Sequence, residues 1–294
     1  MFLLSLSRCL LALFLWNIPI LLFADTISVQ DDTGQRITFA TPAKRIIVLT
    51  PHIAEILVTL GAQGRVVGYV KTAGQSVDLP KAEIIGTMHG LNIEKIIRLQ
   101  PDLIIAWGFM PIAQKMQLEK MQIPVFVSDP RQLVDIVDNI QKIGRLVGFE
   151  QSAIRLAAQV YERLLLLQAE YQQRQNVSVF FQVWTSPLMG IGNASILDDA
   201  IKICGGRNIF GDQSKSAFSV SPESVIVRNP QVILATLLPE QESVFIQQWR
   251  RWSKIAAVKH GHLYIVDVNR LSRPSHLLLE GVDSLCQTMD KARQ

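Results

Sequence analysis

The sequence predicts an α/β protein built as two lobes with parallel central sheets, joined by a single long α-helix. Three features lead there. After residue 25, short apolar runs alternate with stretches of helical spacing, and that alternation builds parallel sheets covered on both faces. The stretch 151–175 contains neither Gly nor Pro and falls near the middle of the chain. A helix–Pro–strand segment occurs twice, once on each side of that stretch.

The first element is a targeting segment. Arg8 supplies one positive charge, an apolar run reaches Ala24, and the composition turns polar at Asp25. This layout predicts a secretory signal peptide over 1–24 with cleavage after Leu22-Phe23-Ala24; an uncleaved anchor is the alternative. Export places the mature chain in the periplasm. Removal of Arg8 lowers the formal net charge from +4 to +3, and the remaining cations are scattered. Nucleic-acid binding needs a concentrated basic patch and is excluded as an expectation. Cys9 leaves with the signal. Cys204 and Cys286 remain, an even count in an oxidising compartment, which predicts a disulfide against the alternative of two buried thiols.

The first lobe is assigned to 25–148. Residues 26–30 and 36–39 flank the polar turn Asp31-Asp32-Thr33-Gly34 and predict a hairpin. Residues 45–50 read as a buried strand ended by Pro51, and 53–60 as a helix stopped by Gly61. Strand 66–69, helix 93–99, strand 102–107, helix 111–121, strand 125–128 and helix 132–147 follow. The connecting helix is assigned to 149–175. There Leu156, Val160, Leu164, Leu167 and Tyr171 share one helical face, and the Gly- and Pro-free stretch spans about 37 Å at the helical rise. The second lobe, 176–294, repeats the alternation with strand 177–183, helices 195–203 and 223–228, strands 232–236 and 263–266, and a closing helix over 275–291.

The duplicated segment runs from Glu94 to Pro101 and from Glu223 to Pro230, each followed by an apolar strand. Pro disfavours helix at the residue before it, so each short helix ends there. Two lobes of related build thus each offer a carboxylate at an equivalent place. Such symmetry suits a clamp that closes on a ligand at the carboxyl ends of its strands.

At these residues the chain resembles the periplasmic binding proteins that serve cobalamin, haem and iron-siderophore importers. The motifs are Arg45-Ile-Ile-Val-Leu-Thr-Pro51 followed by Glu55, Asn92-Ile-Glu94, Gln100-Pro101-Asp102-Leu103, and Cys204-Gly-Gly-Arg-Asn-Ile-Phe210. The cobalamin-binding branch is most similar, through Gly90–Glu94, Ile105-Ala-Trp107 and the Cys204/Cys286 pair. The resemblance implies the class III fold, a corrinoid ligand with haem or ferric siderophore as alternatives, and no resident cofactor or metal. It also implies a monomer that works with an inner-membrane ABC permease dimer, with Glu94 and Glu223 docking on permease arginines.

Ligand contacts are expected on loops after the strands. In the first lobe these are Pro51, His52, Thr72, Met88, His89, Gly90 and Trp107; in the second, Trp184 and Arg273. The two tryptophans offer flat surfaces for a macrocycle. Where the cobalamin binders carry aromatic residues, this chain has Thr72, Met88 and Ala217. His52, His89 and His276 are of the type that ligates iron or cobalt, or else are polar loop residues. An enzyme or a sensor domain on the same fold is the competing class, and the enzyme signals are missing: no Gly-x-Ser-x-Gly, no His-Glu-x-x-His and no phosphate loop occurs. Gly190-Ile-Gly192 is a fragment of a dinucleotide fingerprint without its third Gly, and reads instead as a turn near the cleft.

Overall fold

The computed structural model describes residues 26–71, 77–79, 81–87, 90–237 and 239–294. The signal segment 1–24 and the expected ligand residues Thr72, Met88 and His89 lie outside the described residues.

Strands β1 (Ile27–Gln30) and β2 (Arg36–Phe39) form the expected hairpin. Asp31 fixes its turn by accepting from the Thr33 and Gln35 amides, and its other oxygen accepts from the Val127 amide, tying the hairpin to the lobe. The chain continues as β3 (Ile46–Val48), α1 (Pro51–Thr59), β4 (Val66–Val70), β5 (Glu83–Thr87), β6 (Gly90–Leu91), α2 (Ile93–Leu99), β7 (Leu103–Trp107), α3 (Ile112–Glu119), β8 (Val125–Ser128) and α4 (Asp135–Leu146). Helix α5 (Glu150–Tyr171) follows. The second lobe holds β9 (Val177–Trp184), β10 (Met189–Ile191), α6 (Ile196–Ile203), β11 (Gly206–Asn208), β12 (Ala217–Ser219), α7 (Pro222–Arg228), β13 (Val232–Ala235), α8 (Glu242–Arg250), α9 (Ala256–Lys259), β14 (Leu263–Ile265), α10 (Val268–Leu271) and α11 (Leu278–Asp290).

The first sheet has the order β6-β5-β4-β3-β7-β8, parallel except for the edge strand β6. Its order reverses between β3 and β7, which opens a crevice at their carboxyl ends. The second sheet runs β12-β10-β9-β13-β14, with β11 also pairing β9. Here β9, β11, β13 and β14 are parallel, and β10 pairs antiparallel with both β9 and β12.

Alternation along each central strand divides the interior. Ile46, Val48, Leu103, Ile105, Val179, Phe181, Val232 and Leu234 point to one continuous core shared by both lobes. Helices α1, α4, α5, α6 and α11 cover it. The opposite faces make separate cores, with Ile47, Ile104, Ile96 and Leu99 under α2 and α3, and Phe180, Ile233, Val225, Phe245 and Trp249 under α7 and α8. The buried face of α5 is Ala153, Leu156, Ala157, Val160, Leu164, Leu167 and Tyr171. It lies across both lobes on the shared core, so relative movement of the lobes would shear packed apolar surface.

Cys204 and Cys286 form a disulfide across 82 positions, joining the end of α6 to α11. A loop of that length contributes roughly 4–5 kcal/mol in the chain-entropy picture. No helix among the described residues is long and apolar enough to cross a membrane.

The structure departs from expectation in the short elements. Strands β10, β11 and β12 have three residues each, too few for periodicity to register. Helix α1 starts at Pro51 itself, because the missing Pro N–H costs nothing at the first helical position. Gly190 lies within β10, whereas Gly192 opens the expected turn, its oxygen accepting from the Ser195 amide at 3.2 Å; a Cβ there would meet the Gln213 oxygen at 2.2 Å, so the glycine also permits close backbone passage.

Candidate ligand cleft and docking tips

The chain leaves the carboxyl ends of both sheets on the side where the lobes meet. Helix α1 follows β3 and residues 129–134 follow β8. Across from them lie α6 and the segment after α10. The Leu133 amide donates to Asp199 at 2.8 Å, and Thr59 Oγ1 bonds His276 Nε2 at 3.0 Å. The innermost contact is ionic. Arg273 Nη1 donates to Glu55 Oε1 at 3.0 Å, and Ser275 Oγ donates to Glu55 Oε2 at 2.5 Å. Both charged side chains are buried, 8% and 3% exposed, so each compensates the other's lost hydration. Arg273 was expected to face ligand; its buried guanidinium instead bridges the lobes. The Glu55 carboxylate that holds it drew attention in the sequence only as part of a motif.

His52 requires a second correction. It is 1% exposed, on the first turn of α1, with Nδ1 2.6 Å from Thr50 Oγ1 and Nε2 3.1 Å from Ser128 Oγ. Burial pushes its pKa down to about 3, which keeps the ring neutral. Both nitrogens are engaged, so His52 is not a ligand to iron or cobalt. It meets Trp107 edge-on at 5.6 Å, and Trp107 meets Phe109 edge-on at 5.2 Å. His52 thus backs the aromatic wall. His276 is also held below its ordinary pKa by burial, against the opposing pull of Glu55 and Glu280.

The wall itself is half-buried Trp107 and Phe109, which is 60% exposed, at the end of β7. Gly108 between them has no room for a side chain, since a Cβ would meet Asp129 at 2.5 Å. Leu49, Val70, Leu91 and Met110 line a small crevice of about 20 Å³ beside them. Pro51 is half-buried at the start of α1, and Gly90 is exposed at the edge strand β6. On the second lobe a cavity of about 560 Å³ opens at the ends of β9 and β13, lined by Trp184, Thr185, Leu197, Leu237, Val268 and Leu271. Trp184 is 59% exposed, and its indole N–H donates to the Ser186 oxygen at 2.9 Å, which fixes the ring. Leu237, Val268 and Leu271 were missed in the sequence because they look like ordinary core residues. Among the described residues no group of three or more His, Cys, Asp or Glu is arranged to hold a metal ion.

The two expected docking residues sit on matching tips. Glu94 and Glu223 are exposed in the first turns of α2 and α7, seven-residue helices. Each helix is capped by a side chain, Asn92 accepting from the Lys95 amide and Ser221 from the Ser224 amide. Each ends on a left-handed residue, Gln100 and Asn229, both at φ 44°, directly before Pro101 and Pro230. An arginine in each last turn pairs with an acid of its own lobe: Arg98 with Glu83 and Arg228 with Asp212.

The periplasmic binding protein family matches residues 46–269, most of the chain. The chain belongs to that family. Among individual members of the periplasmic binding protein family, a vitamin B12-binding protein of Vibrio vulnificus is 29% identical over 250 residues, covering 84% of this chain and 90% of that protein. The crystal structure of the periplasmic vitamin B12 binding protein of Vibrio cholerae superposes with a TM-score of 0.78 at 28% identity, covering 86% of this chain and 99% of that one. A possible iron-binding periplasmic solute-binding protein from Staphylococcus epidermidis gives 0.75 at 27%, covering 85% and 99%. The fold of this chain is therefore that of the class III periplasmic binding proteins, with two lobes and one connecting helix.

Proposed function

We propose that the chain binds cobalamin or a related corrinoid in the periplasm and delivers it to an inner-membrane ABC permease dimer. The observation that carries the reading is the pairing of two aromatic walls, half-buried Trp107 with exposed Phe109 and exposed Trp184, with an open cavity of about 560 Å³ at the strand ends. A flat, largely apolar ligand fits such walls. The ionisable side chains at the junction are buried and engaged, as His52, Glu55 and Arg273 illustrate, so they favour holding a ligand over transforming one. The relatives named vitamin B12-binding proteins support a corrinoid over other chelates.

In this reading residues 1–24 are the export signal. Pro51, Thr72, Met88, His89 and Gly90 are the further ligand contacts that this reading assigns to the first lobe. The corrinoid is cargo, and the protein carries no resident cofactor. One chain makes the complete binding unit. Glu94 and Glu223 meet permease arginines, giving orientation and on-rate more than affinity.

The test is titration of the mature protein with cyanocobalamin and with haemin, followed by calorimetry and absorbance. Cyanocobalamin binding at micromolar concentration or tighter is expected; binding of haemin alone overturns the reading. Glu94→Ala and Glu223→Ala are expected to keep ligand affinity and impair uptake.

A further inference from the structure

Helix α5 has two apolar faces. The inner one packs on the shared core. The outer one carries Ile154 at 45% exposure, Tyr161 and Leu165 at 48% each, and exposed Ala158. Their spacing is four, three and four residues, the seam of a coiled coil. Single exposed apolar residues are ordinary on a protein surface. Four in heptad register on one helix, none of them needed by the core beneath, form a surface shaped for another helix.

The flanking charges name the partner. Turned antiparallel about a twofold axis, a second α5 sets Ile154 opposite Leu165 and small Ala158 opposite large Tyr161. In the same register Arg155 of each copy lies beside Glu162 of the other. The surface is therefore self-complementary, as a twofold interface must be. Among the described residues Arg155 otherwise makes a single side-chain bond, at 3.2 Å to Ser152 Oγ of its own helix. The helix carries three carboxylates and two guanidiniums, a mixture with none of the cation excess that an anionic lipid surface requires.

We propose that two copies of this chain pair reversibly through α5 in that antiparallel register. Pairing leaves the docking tips free, because α2 and α7 pack on the sheet faces away from α5. It revises the expected strict monomer to a chain that binds ligand singly and self-associates when concentrated. A contact of about two heptads is small, so the dissociation constant is expected on the order of 10–100 μM.

Sedimentation equilibrium of the mature protein tests this. A monomer–dimer equilibrium in that range is expected, weakened at least about tenfold in Tyr161→Glu. Arg155→Glu and Glu162→Arg should each weaken it about three- to tenfold, and the double reversal should restore it to within about threefold. Cyanocobalamin titration of each variant checks that the fold survives. Monomer at every concentration overturns the proposal, as does a dimer indifferent to Tyr161→Glu or single reversals that the double fails to rescue. Flotation of the chain with anionic vesicles in the absence of self-association overturns it in favour of a membrane.

Discussion

The two lobes are alike at their tips and unlike at their mouths. At the tips, α2 and α7 share length, side-chain cap, exposed Glu, left-handed last residue and following Pro. All of these are local rules acting over about eight residues, so the same grammar gives the same shape twice. At the mouths, the first lobe has a wall backed by buried His52 and a crevice of about 20 Å³, whereas the second has a cavity of about 560 Å³. The mouths are made by loops after strands, and their shape follows what each loop meets across the junction.

The junction itself should give the largest effect. Glu55→Gln leaves the buried Arg273 guanidinium without its carboxylate and is expected to cost about 3 kcal/mol, read as a lower urea midpoint. Tip substitutions far smaller than this keep the comparison intact; a Glu55 effect below about 1 kcal/mol would break it.

Acid comes next. His52 titrates near 6.5 when unfolded and near 3 when folded, so the unfolded state binds the extra proton as pH falls. Its contribution is fully present above about pH 6.5 and is lost progressively down to about pH 3, roughly 2 kcal/mol by pH 5. His52→Gln is expected to flatten that limb in pH-dependent denaturation. A pH profile identical to the parent would mean that His52 is not held neutral behind Trp107.

The aromatic walls follow. Trp184→Ala and Trp107→Ala are each expected to weaken cyanocobalamin binding about 10- to 100-fold in calorimetry, with a smaller loss for Trp107, which is already half-buried. Equal losses would argue that the mouths are more symmetric than their cavities. The smallest effects belong to the caps. Asn92→Ala and Ser221→Ala are expected to cost about 1 kcal/mol each, and similar values would sharpen the equivalence of the tips.

The amino-acid sequence by itself determined the elements whose signals are local. Apolar runs marked the central strands, the Gly- and Pro-free stretch marked α5, and the Glu-to-Pro segments marked both tips, because capping, proline sterics and periodicity act between near neighbours. Cys204 and Cys286 were legible through their even count. Tertiary structure alone decided which polar residues are buried where the lobes meet. His52 and Arg273 lie on segments expected at the binding mouth, yet Ser128, 76 positions from His52, and Glu55, 218 positions from Arg273, draw them inside. A buried charge takes the partner that best replaces its water, and that partner is fixed only when distant segments pack.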